Sequence, residues 1–416
     1  MSTTILFTES IATPLAGPQN GEVAIFAYLV GSYSNTIQQI DTVSFASESN
    51  ATNFFEYGDV SYITNEGFYM MFSVSNGTHA IIGGGEHIGF SVQFGNHLYK
   101  YEFKSQSDAQ RWGDLYSHRS ACGSLGDGVY GYMVGGIMSR MPGDHAVSYF
   151  PSDCSQNIDI ITLDSSFSMN MWSSLQYTTF HMTCVSDNKT IGIIAGGVDS
   201  TCYCHDNNTY YECEESIYVR SLSKIEYSST SSNSEFNELS TPRIEMAGVG
   251  NDTAGVLCAG GDMDDLDYNP MLDGARPITS AEKIIFSSLG VNHSFGSLEI
   301  GGFLGGASNG GAYGLVAGNI ELFTRAGVIT PNISKVDIDT DALTHGWGFL
   351  TDDRVSDFTV GAGSYTDDVV IPPQPELDMV GFELYTFLTF DGIDFDIGTP
   401  ETLPYVKLLS DTPEEE

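Results

Sequence analysis

Basic residues are scarce in this chain: 15 Lys and Arg stand against 54 Asp and Glu, a net charge of −39 over 416 residues. Such a surface repels DNA, RNA and anionic lipid, so nucleic-acid binding is excluded. Long apolar runs are missing as well. None approaches the 18 residues of a spanning helix, so no membrane insertion is expected. The opening MSTTILFTES has neither a basic start nor a long apolar stretch, so no signal peptide is expected. The seven cysteines are odd in number and four are scattered, which is not the pattern of a secreted disulfide scaffold. Catalytic signatures are lacking too: no G-x-S-x-G, no H-E-x-x-H, no S-x-D-x-G-x-x-W, and nine dispersed histidines. The chain therefore reads as a non-enzyme. Paired carboxylates acting on a polysaccharide, as hydrolase or lyase, are the enzymatic alternative.

What is present is a folded, turn-rich composition. Apolar residues make up 41%, aromatics 12% and charged residues only 17%, with 46 glycines. That is not the balance of a disordered acidic chain. Period-2 alternation dominates and no long stretch repeats every 3.6 residues, so the fold class is all-β.

An aliphatic run ending in glycine recurs along the chain. AIIGGG ends at Gly85, YMVGG at Gly136, IIAGG at Gly197 and VLCAGG at Gly261. GLVAGN, FTVGAG and an N-terminal AYLVGS with Gly31 are weaker copies. An aromatic precedes the glycine at nearly constant spacing: Trp112 by 23 residues before Gly135, Trp172 by 24 before Gly196, Phe236 by 24 before Gly260, Phe295 by 23 before Gly318. A period near 50 residues with fixed internal spacing predicts a propeller of four-stranded blades with insertions between them. Units fall at 38–85, 92–136, 157–197, 215–261, 278–319 and 321–363. A seventh blade is expected from the chain ends, 377–403 joined to 1–33. That makes a single β-propeller over 1–403, followed by an acidic tail at 404–416. Six and eight blades are the neighbouring counts. The repeated glycines read as strand ends, since a phosphate loop would need a helix after Gly85 and EHIGFSVQF reads as strand. Seven Asn-x-Ser/Thr triplets, among them Asn76-Gly77-Thr78, read as chance in so Asn- and Ser/Thr-rich a chain.

The aliphatic-Gly-Gly strand ends resemble those of kelch-like propellers. The order IDTVSF, NATNFF, YGDV, GTHAIIGGG over 40–85, with RWGDL, SHRSACGS and YGYMVGG over 111–136 and EFNELSTPR over 235–243, is similar to the kelch-like repeats of tailed-bacteriophage virion proteins. Arg119 and Arg243 match the arginine of that repeat. The resemblance implies a virion protein of capsid, neck or tail, assembled in the host cytoplasm and present in multiple copies. Its partners would be other virion proteins and a host-surface glycan. A free-standing glycan-binding module is the alternative binding role.

Three insertions follow the glycine ends of consecutive units, at 137–156, 198–214 and 262–277, and are expected to project from one side of the ring. Their aromatics, Tyr149, Phe150, Tyr203, Tyr210, Tyr211 and Tyr268, beside carboxylates, suit stacking on sugars or docking on protein. Within CYCHDNNTYYEC lie Cys202, Cys204, His205 and Cys213. These are ligand types for zinc in a non-standard spacing, and equally a small disulfide loop or free thiols. Asp262, Asp264, Asp265 and Asp267 alternate as calcium ligands can, with a solvated loop as the other reading. No cofactor is expected beyond these two metals.

Overall fold

The computed structural model describes residues 23–32, 35–46, 48–57, 68–69, 71–87, 96–103, 110–139, 154–164, 166–199, 203–206, 209–212, 219–230, 233–262, 276–299, 301–302, 305–308, 310–318, 331–340, 342–351 and 360–363. Among them are strands and no helix. None could supply a membrane-crossing helix.

Six antiparallel four-stranded sheets form among the described residues. Five are blades of consecutive strands. From the axis outwards these are Phe72–Ser75, His79–Gly83, His97–Glu102 and Gln110–Asp114; Gly123–Gly126, Tyr130–Val134, Asn157–Thr162 and Met169–Ser174; Thr183–Ser186, Ile191–Ala195, Ser221–Glu226 and Ser234–Glu238; Ala247–Gly250, Ala254–Cys258, Ser280–Ile285 and Gly290–Ser297; Gly305–Ser308, Tyr313–Ala317, Asn332–Asp337 and Ala342–Phe349. The remaining sheet joins early and late chain: Val360–Gly363 lies inside Val23–Ser32, Asn35–Ser44 and Thr52–Tyr57. Each innermost strand touches the next in a closed circuit, so the fold is an all-β propeller.

The expected seven blades are thus corrected: five blades of consecutive strands and one closing sheet complete the ring. The units were also half a blade out of phase. The aliphatic-Gly-Gly phrase ends a blade's second strand, and the strands after it pair back onto that strand, as Val134 does with Ile158. Repetition in sequence carries no phase, whereas hydrogen bonding does. The 321–363 unit is accordingly shared between the last consecutive blade and the closing sheet. The ring is closed by Val360–Gly363, and Val23–Ser32 has both edges occupied, by it and by Asn35–Ser44. Residues 377–403 and 404–416 lie outside the described residues. AYLVGS is not a true copy either. Register aligns Ala27, paired with Ile40 and Val360, with Val134, so Gly31 falls beyond the glycine position.

The paired glycines hold one blade to the next. Gly135 and Gly136 have φ of +57° and +96°, a left-handed turn that L side chains avoid. That turn aims the Gly136 N–H at Thr179 O of the next blade, 2.9 Å away. Gly85 donates likewise to Arg119 O at 2.9 Å, Gly197 to Arg243 O at 2.8 Å and Gly260 to Gly302 O at 3.0 Å. These N–H groups are therefore spent between blades and cannot cradle a phosphate.

The spaced aromatics lie on outer strands and pack onto the following blade. Trp112 donates Nε1–H to Thr162 O at 3.0 Å, with Lys100 Nζ 4.0 Å from its ring centroid. Trp172 stacks in the cluster holding Tyr227, Phe236 in that holding Phe286, and Phe295 in that holding Val336 and Ile338. Burying such a ring stabilises by roughly 1.5–3 kcal/mol. The hairpins between first and second strands turn around buried Asn76, Asp127, Asp187 and Asn251. The Oδ1 atom of each accepts backbone N–H bonds from two or three residues on, as in Asx turns. Asn76 and Asn251 both begin Asn-x-Thr triplets. Their amides face Asp164 and Asp339 across blade junctions.

Candidate functional site

Among the described residues, the third strand of each four-stranded sheet carries a bulge just after its buried aliphatic residue: Ile40/Asp41, Leu98/Tyr99, Ile158/Asp159, Leu222/Ser223, Ala281/Lys283 and Ile333/Lys335. A bulge redirects the next side chain. In three alternate sheets that side chain is an acid, Asp41, Asp159 or Glu282, and each is fully buried. A buried carboxylate needs partners. Each takes a hydroxyl from the residue that follows a buried leucine at the end of the preceding blade's outer strand. Thr351 Oγ1 donates to Asp41 at 2.8 Å, Ser240 Oγ to Glu282 at 2.7 Å, and the Tyr116 hydroxyl to Asp159.

Two of the acids also pair with the repeat arginines. Arg243 is satisfied on all sides: Nε donates to Thr241 Oγ1 at 3.2 Å, Nη1 to Ser280 O at 3.0 Å, and Nη2 to Glu282 Oε1 at 2.6 Å. Arg119 Nη1 lies 2.6 Å from Asp159 Oδ2, but its Nε and Nη2 are buried without a partner. His293 Nδ1 meets the other Glu282 oxygen. Sequence reading identified both arginines by their motif. It missed the acids, which lie about 40 residues away across a junction, and the hydroxyls, which lie three residues before each arginine.

Two residues beyond each arginine position lies a left-handed non-glycine: Ala121 at φ +51°, His181 at +55° and Glu245 at +54°. Their backbones link three blades, His181 N to Ala121 O and Glu245 N to His181 O, both at 3.0 Å. His181 Nδ1 faces Glu245 Oε1. Burial raises the Glu245 carboxyl, while His181 pulls it down. Burial pushes the Cys122 and Cys258 thiols up to about 12, so neither is a thiolate nucleophile at neutral pH.

Among the described residues, the axis shows one small space. A cavity of about 120 Å³ is lined by inner-strand residues such as Ser73, Ser124, Ser186, Gly250 and Ser308. Ligand pockets run to roughly 300–1,000 Å³. The serines are already engaged: Ser124 Oγ donates to Ser73 O at 2.5 Å and Ser186 Oγ to Gly126 O at 2.6 Å.

One face is richer. The three insertions begin at equivalent places, as short strands paired beside the arginine position: Ile137–Ser139 with His118–Ser120, Val198–Asp199 with Thr179–Phe180, and Gly261–Asp262 with Arg243–Ile244. The segments crossing between blades just before these positions bear Tyr116 and Tyr177, 58% and 40% exposed. Gln176 Nε2 donates to the Tyr177 hydroxyl at 2.9 Å. Sequence reading looked for aromatics in the insertions and overlooked these two.

Of the expected site residues, Tyr203, Cys204 and His205 lie on strand Tyr203–Asp206, and Tyr210 and Tyr211 on Thr209–Glu212. This hairpin sets Cys204 opposite Tyr211 and His205 opposite Tyr210. Asp262 is half-buried, with register neighbours Arg243 and Arg276. Tyr149, Phe150, Tyr268, Cys202, Cys213, Asp264, Asp265 and Asp267 lie outside the described residues. No cluster of three or more metal-ligating side chains occurs among the described residues.

No family model matches the chain. No curated protein matches it. Among solved structures, one titled "Structure of YjhT" is similar, at 12% identity and a TM-score of 0.49, covering 69% of this chain and 86% of that one. The assignment of a propeller rests on the closed circuit of sheets.

Proposed function

We propose that the chain is a binding propeller of a tailed-phage particle, of the kelch-like kind, and not an enzyme. Its insertion-bearing face makes the contacts, with other virion proteins and with a host-surface glycan. The observation that carries this is the placement of three insertions at equivalent points of consecutive blades, beside two exposed tyrosines. Loops held on a rigid scaffold are where binding concentrates. The strand-end and arginine motifs support the phage reading, and an acidic surface with aromatic points suits sugars or basic protein patches better than nucleic acid. The test is the composition of purified particles from cells carrying the gene. The chain should co-purify with particles in a defined ratio, and a variant lacking 140–153 should lose that association while still folding. A chain found only free in the lysate would overturn the proposal.

A further inference from the structure

A solvent-exposed tyrosine ordinarily covers its ring and turns its hydroxyl to water. Tyr116 does the reverse. Its hydroxyl donates inward to Asp159, which is fully buried, while the residue is 58% exposed. The Arg119 guanidinium carbon, also fully buried, lies 6.0 Å from the ring centroid. An apolar ring is therefore held out in water by its own polar end.

A lone exposed ring means little, but here the fold contains its own controls. The same junction occurs at Ser240–Glu282 and Thr351–Asp41, where a small hydroxyl meets the buried acid at 2.7 and 2.8 Å. Satisfying the acid thus requires a hydroxyl and no ring. The ring at 116 adds something the junction does not use. It is also fixed in place: buried Leu115, whose N–H bonds Asn96 O at 2.7 Å, anchors the backbone, and the hydroxyl anchors the far end. A rigid aromatic surface loses little entropy on binding.

Its polar neighbours are exposed on the same segment. Asp114 and Tyr116 flank Leu115, and both face solvent. Arg111 Nη2 donates to both oxygens of Asp114, at 2.7 and 2.8 Å, and His97 Nδ1 lies 2.8 Å from Oδ1. An exposed ring two residues along from a carboxylate that holds a guanidinium offers groups for the C–H face and the vicinal hydroxyls of a pyranose. With a net charge of −39 the surrounding field disfavours uronic and sialic acids.

We infer that Tyr116 is the stacking platform of a saccharide subsite for neutral pyranosides, with Asp114 and Arg111 as hydroxyl partners. This deepens the proposed function and rests on its glycan contact. The probe is an array of bacterial-surface oligosaccharides, neutral and anionic, read with the full chain. Wild type binds neutral members. Tyr116→Ser, which recreates the Ser240 arrangement, weakens that binding about tenfold or more with an unchanged unfolding midpoint. Hydroxyl-radical footprinting of unaltered protein is independent of how the variant folds: the exposed Tyr116 ring is oxidised in the free chain and protected by a bound neutral oligosaccharide. Binding by Tyr116→Ser equal to wild type, absence of protection, or binding confined to anionic members would each overturn the inference. A chain that sits in the particle yet binds no saccharide refutes the subsite and the glycan contact it rests on, and leaves the virion reading standing; absence from the particle refutes the virion reading alone.

Discussion

Arg243 Nη2 lies 2.6 Å from Glu282 Oε1, and neither side chain reaches solvent. Both charges are desolvated, so each depends on the other. Replacing one alone, Arg243→Ala or Glu282→Ala, strands a buried charge and should cost about 3–5 kcal/mol. The double change Arg243→Met with Glu282→Leu should recover most of that loss, because apolar packing replaces the pair. Urea unfolding of the three variants checks this. A single variant within about 1 kcal/mol of wild type would refute the dependence.

The glycine pair separates two costs. At Gly136, φ is +96° and a Cβ would stand 2.6 Å from Ser120 O and 2.4 Å from Cys122 Sγ. At Gly346, φ is +70° with nothing within 4 Å of a Cβ. Gly346→Ala should cost only the left-handed strain, about 1–2 kcal/mol. Gly136→Ala should cost more, since a backbone carbonyl has to move as well. Equal midpoints for the two variants would mean that strain alone decides.

How far the sequence went can be traced in these residues. The Gly-Gly phrase and its upstream aromatic were visible because the blades of consecutive strands repeat the same left-handed turn and the same ring over the next blade. Their phase was not visible, because strand pairing leaves no mark on the spacing. Thus Asn157–Thr162 looked like the start of a unit and proved to be the third strand of a blade. Tyr116 escaped notice because its meaning lies in contrast with Ser240 and Thr351, and that equivalence appears only once Asp159, Glu282 and Asp41 are seen at one bulge.

Closure by Val360–Gly363 gives a truncation test. A chain ending at 372 keeps the strand paired with Val23–Ser32 and should unfold cooperatively near the full-length midpoint. A chain ending at 355 loses that strand, leaves sheet edges unpaired and should aggregate. Light scattering and thermal unfolding distinguish them. A soluble, cooperative 1–355 would show that the closing strand is dispensable.

Glu245 gives a pH dependence of definite sign. Burial raises its carboxyl above the ordinary glutamate value of 4.5, with His181 opposing. An unfolded glutamate releases its proton near 4.5, and the folded one releases it higher. Between the two, the folded chain holds more protons than the unfolded one, so stability from this group falls as pH rises. The contribution is complete below the unfolded value and is lost through the folded one. Asp127, also raised by burial, acts in the same direction, so the difference between variants is what isolates Glu245. Glu245→Gln should therefore gain on wild type as pH rises from about 4.5 towards 7, and the difference should be flat below that. In a His181→Asn background the gain should be larger, because the imidazole that held the carboxyl down is gone. Chemical unfolding at stepped pH reads both. A difference independent of pH would mean that Glu245 titrates alike in the folded and unfolded chain.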